Sequence, residues 1–357
     1  MSLFHSLKVA DVYKDTDDCS VVTFEVPQEL RESFNFIQGQ HLTLRAMIGN
    51  QDVRRSYSLC SSPLENTWKV AVKKIDGGLF SSYVDEELKI GDVLEVMPPE
   101  GKFYRECSPS TAKNYIAFAA GSGITPILSI MKTHLASEPN CTFKLFYLNK
   151  NVKSIIFKEE IEALKNKFFN RFEVYYFLTK EHRDMPLFNG RFTKEKLETI
   201  TSKLFDPKEI SEAFLCGPES MIFLVRDELQ AAGIAKEKIH FELFTSVNSA
   251  EKQEHIREVL AKKVEGTEVT IIDGGKEFHF TMTDDFDNVL DGALSAGADL
   301  PFACKGGVCS TCRCRIVEGH AEMKVNYALE EADLAKGIIL SCQAVPTSEK
   351  LVIDFDV

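Results

Sequence analysis

The sequence predicts a multidomain protein: an antiparallel β-barrel, then a doubly wound α/β parallel sheet, then a small α+β unit. Three observations predict it. Residues 1–109 hold short alternating apolar runs broken by polar, Gly or Pro turns, the pattern of short antiparallel strands that close on themselves. Residues 110–245 alternate near-continuous apolar runs with helical patterns, as strands buried on both faces do. Residues 267–357 open on a hairpin, close on a strand and enclose a cysteine-rich loop.

In the first segment the strands are VVTFEV (21–26), HLTLRA (41–46), WKVAVKKI (68–75) and VLEVM (93–97). In the second they are YIAFAA (115–120), FKLFYL (143–148), FEVYYFL (172–178) and AFLCG (213–217), with helical patterns in ILSIMKTHLA, FKEEIEALKNKF and SMIFLVRDELQAAG. Residues 246–266 are polar and highly charged and read as a linker, in part helical. Beyond it, Asp273-Gly274-Gly275-Lys276 turns a hairpin, and the helix FDNVLDGALSAG stops at Gly297.

Four cysteines carry the most specific chemistry. Cys304, Cys309 and Cys312 lie in CKGGVCSTC and Cys342 follows in LSCQA, a C-x4-C-x2-C run with a distant fourth. That is the ligand spacing of a plant-type [2Fe–2S] cluster. Gly306 and Gly307 let the backbone wrap closely, and small Ser310 and Thr311 leave room between ligands. A four-cysteine zinc site is the alternative, although such sites favour two short pairs. Cys314, two residues past a ligand in an incipient strand, reads as a bystander.

A net charge of −12 argues against nucleic acid and against an anionic membrane surface. Ten cysteines in 357 residues are too sparse for a disulfide scaffold, and four thiolate ligands suit a reducing compartment. The N-terminus lacks a basic region followed by an apolar core, and the most apolar stretch, 115–131, is interrupted by Gly121, Gly123 and Pro126. The sequence therefore reads as cytoplasmic.

Arg55-Ser56-Tyr57-Ser58 reads as one edge of a flavin site. A guanidinium at Arg55 suits a pyrophosphate, Tyr57 can lie flat on the isoalloxazine, and Ser58 can hydrogen-bond flavin N5. Taken alone the string is also an ordinary strand. Gly78, Ser81 and Ser82 in GGLFSS follow, a Gly turn into a helix start whose N–H groups can cradle phosphate, or a plain Ser cap. Gly121, Gly123 and Thr125 form G-x-G-x-T-P after the first parallel strand, where a pyridine nucleotide can approach the backbone. Cys216, Gly217 and Pro218 end a later strand; Cys216 can lie near a nicotinamide, since open sheets bind ligands at strand carboxyl ends, or be an ordinary core cysteine. Lys150, after FKLFYL, can meet a 2′-phosphate, which leans to NADPH with NADH possible.

With RSYS, GGLFSS, GSGITP, LCGP, FELF (241–244) and CKGGVCSTC…C in this order, the chain resembles the ferredoxin-NADP reductase family with a C-terminal plant-type ferredoxin. The resemblance covers essentially the whole chain. It implies FAD in the barrel, a β-grasp fold for the last unit, and a place beside the flavin for Glu242 in FELF. Ser58, Cys216 and Glu242 are then the residues expected at the reacting atoms. The stretch from GADLPFACKGG to IILSCQA is most similar to the reductases of phenylacetyl-CoA epoxidases. That likeness implies electron flow from NADPH through FAD and the cluster to diiron oxygenase subunits. A reductase for another ring-hydroxylating oxygenase, with FMN and NADH, is the alternative.

Overall fold

The computed structural model describes residues 4–244 and 250–356, with side chains omitted at 250 and 251. It divides into two compact units, Met1–Phe244 and Thr245–Val357.

The first unit begins with β1 (His5–Thr16), β2 (Cys19–Glu25), β3 (His41–Ile48), β4 (Gln51–Ser58), β5 (Trp68–Lys73), helix α1 (Leu79–Glu86) and β6 (Val93–Val96). The strands are antiparallel in the order β4-β3-β6-β1-β2-β5. Just past β4, Leu59 bridges Val70, and the Cys60 N–H donates to the Lys69 carbonyl at 2.9 Å, so the two end strands meet and the sheet closes. Alternation puts Leu42, Leu44 and Val70 inside, and Phe80 of α1 joins their core. Trp68 is buried because its Nε1–H reaches the Phe34 carbonyl at 2.7 Å.

Next come β7 (Asn114–Ala120), α2 (Ile124–Ser137), β8 (Thr142–Asn149), α3 (Lys158–Lys167), β9 (Phe172–Leu178), α4 (Lys194–Lys203), β10 (Glu212–Gly217), α5 (Glu219–Ala231) and β11 (Ile239–Leu243). They form a parallel sheet of order β11-β10-β7-β8-β9. The strand order reverses between β7 and β10, which makes the crevice at their carboxyl ends a topological switch point.

Helix α2 is buried on nearly every side, from Ile124 to Leu135. The sheet covers one face and the barrel the other. Ser129 Oγ donates to the Ser61 carbonyl at 2.6 Å, Ser62 and Thr133 hydroxyls meet at 2.8 Å, and Lys132 pairs with Glu65 and Glu160. The most apolar stretch of the sequence is therefore β7, its turn and α2.

The second unit holds α6 (Ala250–Ala261), β12 (Glu268–Asp273), β13 (Lys276–Thr281), α7 (Val289–Ser295), β14 (Arg313–Glu318), β15 (Ala321–Met323), α8 (Glu331–Leu334), β16 (Ile338–Leu340), β17 (Ala344–Pro346) and β18 (Lys350–Asp354). A mixed sheet, β13-β12-β18-β14-β16, packs against α7 through Val269, Ile271, Leu290, Ala293 and Ile353. The hairpin turn has positive φ at both Gly274 and Gly275 (57° and 74°), as a type I′ turn demands.

Within 246–266, residues 250–261 form a helix that packs on the second unit. Lys252, Ile256 and Val259 share its inner face, and Val259 is 1% exposed. Lys262 pairs with Glu322 at 2.9 Å and the Val264 N–H reaches the Pro346 carbonyl at 3.1 Å. Residues 245–249 lie outside the described residues.

Candidate functional site

Two adjacent arginines on β4 have different fates. Arg54 is buried, pairs with Asp52 at 3.0 Å and lies over the Phe4 ring. Arg55 points outward, bonds the Arg54 carbonyl through Nη1 at 2.7 Å and makes no ion pair among the described residues, leaving its remaining N–H groups for an anion. Tyr57 shares the Arg55 face, half-buried, with its ring 5.7 Å from that of Phe80 on α1. Ser56 faces the other way, and its hydroxyl meets Thr43 Oγ1 at 3.3 Å.

At the start of α1, Gly77 has φ +72° and a Cβ on Gly78 would stand 2.6 Å from Ser81 Oγ. The Ser81 hydroxyl is engaged locally, accepting from the Ile75 N–H at 3.1 Å and donating to the Gly78 carbonyl at 3.2 Å. What the turn offers an anion is therefore the free N–H groups of the helix start together with Ser82, while Ser81 holds the turn's shape.

The barrel and sheet meet at a polar contact the sequence could only suggest. Ser58 Oγ, at the end of β4, donates to Glu242 Oε2 on β11 at 3.0 Å. Glu242 is the register partner of Cys216 on β10. Cys216 is fully buried, and burial with the neighbouring Glu242 carboxylate pushes its thiol well up, so the sulfur stays protonated. The three residues expected at the reacting atoms thus converge at the switch point.

Close packing shapes that point. A Cβ on Gly123 would lie 2.2 Å from the Cys216 carbonyl oxygen, and one on Gly217 would lie 2.7 Å from Met221 Cε and 3.0 Å from Ala120 Cβ. The two glycines let the turns after β7 and β10 touch. Gly121 has φ +52°, and its carbonyl accepts from Tyr147 Oη at 2.9 Å. Thr125 is buried and donates to the Ser122 carbonyl at 3.0 Å, closing a single turn of 3-10 helix over Gly121–Gly123. Pro126 sits in the first turn of α2 and Pro218 caps α5.

Several residues escaped the sequence reading. Lys73 on β5 brings Nζ to 3.9 Å from the Cβ position of Gly121, carrying a cation from the barrel to the glycine turn. Its position, ending a strand before GGLFSS, was the available signal. Lys150 is exposed at the end of β8, and its carbonyl accepts from Lys180 at 2.7 Å. Beside it a cavity of about 590 Å³ opens where β8 and β9 end, lined by Lys158, Tyr176, His182 and Arg183 among others. The charged turn after FEVYYFL announced it.

In the second unit the cysteine loop runs between α7 and β14. Gly307 has φ +75°, and a Cβ there would meet the Val325 carbonyl at 3.0 Å, so this glycine permits the wrap. The Gly306 N–H donates to Cys304 Sγ at 3.3 Å and Gln343 Nε2 to Cys342 Sγ at 3.5 Å. The thiols associate in two pairs. Cys309 donates to Cys304, pulling Cys304 down to about 6 and raising Cys309; the exchange with Cys312 likewise lowers Cys342.

Four sulfurs on one zinc would stand about 3.8 Å apart for Zn–S near 2.3 Å. Here no three of the four lie within 4.8 Å of one another. Two separated pairs with inward N–H donors fit two irons, each held by two thiolates. Thr311 Oγ1, buried without an oxygen or nitrogen partner among the described residues, sits beside Cys309 and adds a donor to sulfur. Cys314 is buried in the core with its thiol toward the Ile339 carbonyl, apart from the ligand set.

Comparison with known proteins agrees. Residues 6–104 match the oxidoreductase FAD-binding domain, 118–227 the oxidoreductase NAD-binding domain, and 271–347 the 2Fe-2S iron-sulfur cluster binding domain. The chain is 40% identical over 356 residues to a component of the 1,2-phenylacetyl-CoA epoxidase of Escherichia coli (strain K12), covering 100% of this chain and 99% of that one. It is 33% identical to the ferredoxin reductase component of the 3-ketosteroid-9-alpha-monooxygenase of Rhodococcus rhodochrous, covering 98% and 96%. In fold it is similar to phthalate dioxygenase reductase, with a TM-score of 0.58 at 24% identity over 99% and 98% of the two chains. Among the described residues no helix is long and apolar enough to cross a membrane.

Proposed function

The chain belongs to the family of flavin- and iron–sulfur-dependent reductase components of oxygenases, and from that premise we propose that it carries electrons from NADPH to the diiron oxygenase subunits of a phenylacetyl-CoA epoxidase in the cytoplasm. The full-length 40% identity to the Escherichia coli epoxidase component carries the partner assignment. FAD bound in the barrel would supply hydride chemistry, and a [2Fe–2S] centre, which Cys304, Cys309, Cys312 and Cys342 would hold, would supply one-electron transfer.

The protein's part is binding, orientation and proton placement. Arg55 and the N-terminal turn of α1, with Gly78 and Ser82 and with its shape held by Ser81, hold the flavin pyrophosphate, and Tyr57 presents its ring to the isoalloxazine. Gly121, Gly123 and Thr125 with Gly217 and Pro218 shape the nicotinamide end of the crevice. Ser58 keeps its proton on the Glu242 side, which leaves the hydroxyl oxygen able to accept a hydrogen bond from a flavin N–H. The buried, neutral Cys216 excludes water without adding charge. Lys150, with the cations of the neighbouring cavity, favours a 2′-phosphate.

The test pairs the reduced protein with purified oxygenase subunits and phenylacetyl-CoA. Epoxide formation at a rate dependent on this chain supports the proposal. A second reading, service to a different oxygenase, is favoured by the 33% identity to the ketosteroid monooxygenase reductase. It gains if cluster-dependent electron transfer to an artificial acceptor is fast while the epoxidase is not reduced. Lys150→Asp should weaken NADPH more than NADH; equal effects remove it from the phosphate site.

A further inference from the structure

Away from the electron path, a second cluster of ligand-type side chains lies where the barrel hands the chain to the sheet. Cys107 belongs to the segment between β6 and β7. His134 and Glu138 lie at the end of α2, four residues apart and so on one face. Cys107 Sγ is 3.7 Å from His134 Nδ1, and His134 Nδ1 is 3.3 Å from Glu138 Oε1, with all three donor atoms inside 4.8 Å. On a tetrahedral zinc, with Zn–S about 2.3 Å and Zn–N or Zn–O about 2.0–2.1 Å, such edges measure about 3.6 Å and about 3.3 Å.

We propose that Cys107, His134 and Glu138 form a zinc-binding site that staples the barrel's exit segment to α2. The surroundings are those of a supported ligand set. His134 and Glu138 are 0% exposed. Tyr115 Oη donates to Glu138 Oε2 at 2.8 Å and the Ser108 N–H to Oε1 at 2.5 Å, which orients the carboxylate as outer partners of metal ligands do. Cys107 is half-buried and gives the ion a way in. His134 Nε2 is buried and makes no hydrogen bond among the described residues, so Nδ1 alone faces the other two ligands. Binding releases the Cys107 thiol proton to solvent and moves the imidazole proton to Nε2. A thiolate, an imidazole and a carboxylate select zinc over magnesium or calcium, which take oxygen ligands. Three protein ligands leave the fourth position to water.

The test uses the holoprotein with flavin and cluster in place. It is incubated anaerobically with one equivalent of zinc chloride and desalted through a weak chelator, and zinc, iron and flavin are then counted. About one zinc per flavin is expected without loss of iron. Cys107→Ser should lower zinc affinity at least tenfold with flavin and iron content intact. A zinc-dependent rise in melting temperature of the first unit should appear in the wild type and not in Cys107→Ser. Glu138→Gln is a second variant; should it fail to fold, Cys107→Ser still decides. Zinc retained equally by Cys107→Ser, or taken up only as iron is lost, overturns the proposal, as does a wild type that leaves the column without zinc.

Discussion

At the scale of single residues, the cluster loop and the Ser58–Glu242 contact make the sharpest predictions. Cys309→Ser should abolish reduction of a one-electron protein acceptor while flavin bleaching by NADPH persists in an anaerobic stopped-flow trace. Acceptor reduction at the wild-type rate would mean that electrons leave by another port. Ser58→Ala removes the hydrogen bond to Glu242 and, if the proposed flavin site is right, should slow flavin reduction by about tenfold, the equivalent of roughly 1.4 kcal/mol. A change in nucleotide KM alone would make the hydroxyl a binding group only. His41 is buried without a partner for Nε2 among the described residues, and burial lowers its pKa from 6.5 to about 4. The unfolded chain takes up this proton first, so stability is full above pH 6.5 and falls as pH drops towards 4, by roughly 3 kcal/mol in all. Denaturant titrations across pH 4–7 should show that limb, and His41→Gln should flatten it.

At the scale of elements, the turns after β7 and β10 have to touch for the switch point to exist. Gly123→Ala would drive a methyl into the Cys216 carbonyl at 2.2 Å, a backbone obstacle that cannot rotate away. We expect a loss of about 1–3 kcal/mol, read as a lower denaturation midpoint, together with a raised nucleotide KM. The turn was legible in GSGITP as a close approach of backbone. Its partner was not, because β7 and β10 are nearly a hundred residues apart and only the strand order brings them side by side. The same holds for Lys73, which reads as an outward residue of an alternating strand until the sheet lies beside the barrel.

At the scale of the whole molecule, the segment read as a linker belongs largely to the second unit. A fragment 250–357 should hold the cluster. A fragment 267–357, which exposes the surface that Val259 covers, should melt several degrees lower, since burying one valine is worth roughly 1.5–3 kcal/mol and each kcal/mol shifts a domain this small by about 4–8 °C. Equal melting of the two fragments would show that α6 adds nothing. Lys252, Ile256 and Val259 mark one face at helical spacing, but their charged neighbours dominate the composition and hide it.

What the sequence determined by itself was the inventory: alternating strands, then strand–helix units, then a cysteine spacing of the plant-type [2Fe–2S] kind. These are local signals, set by the periods of strands and helices and by ligands within one loop. Tertiary structure decided which of those residues meet. It joined Ser58 to Glu242 and Glu242 to Cys216, spent Arg54 on Asp52 while leaving Arg55 outward, and tied the Ser81 hydroxyl to Ile75 and Gly78. The physical reason is the same in each case. A side chain's chemistry is written in its identity, but whether that chemistry is free or already satisfied depends on partners that only the fold brings within hydrogen-bonding distance.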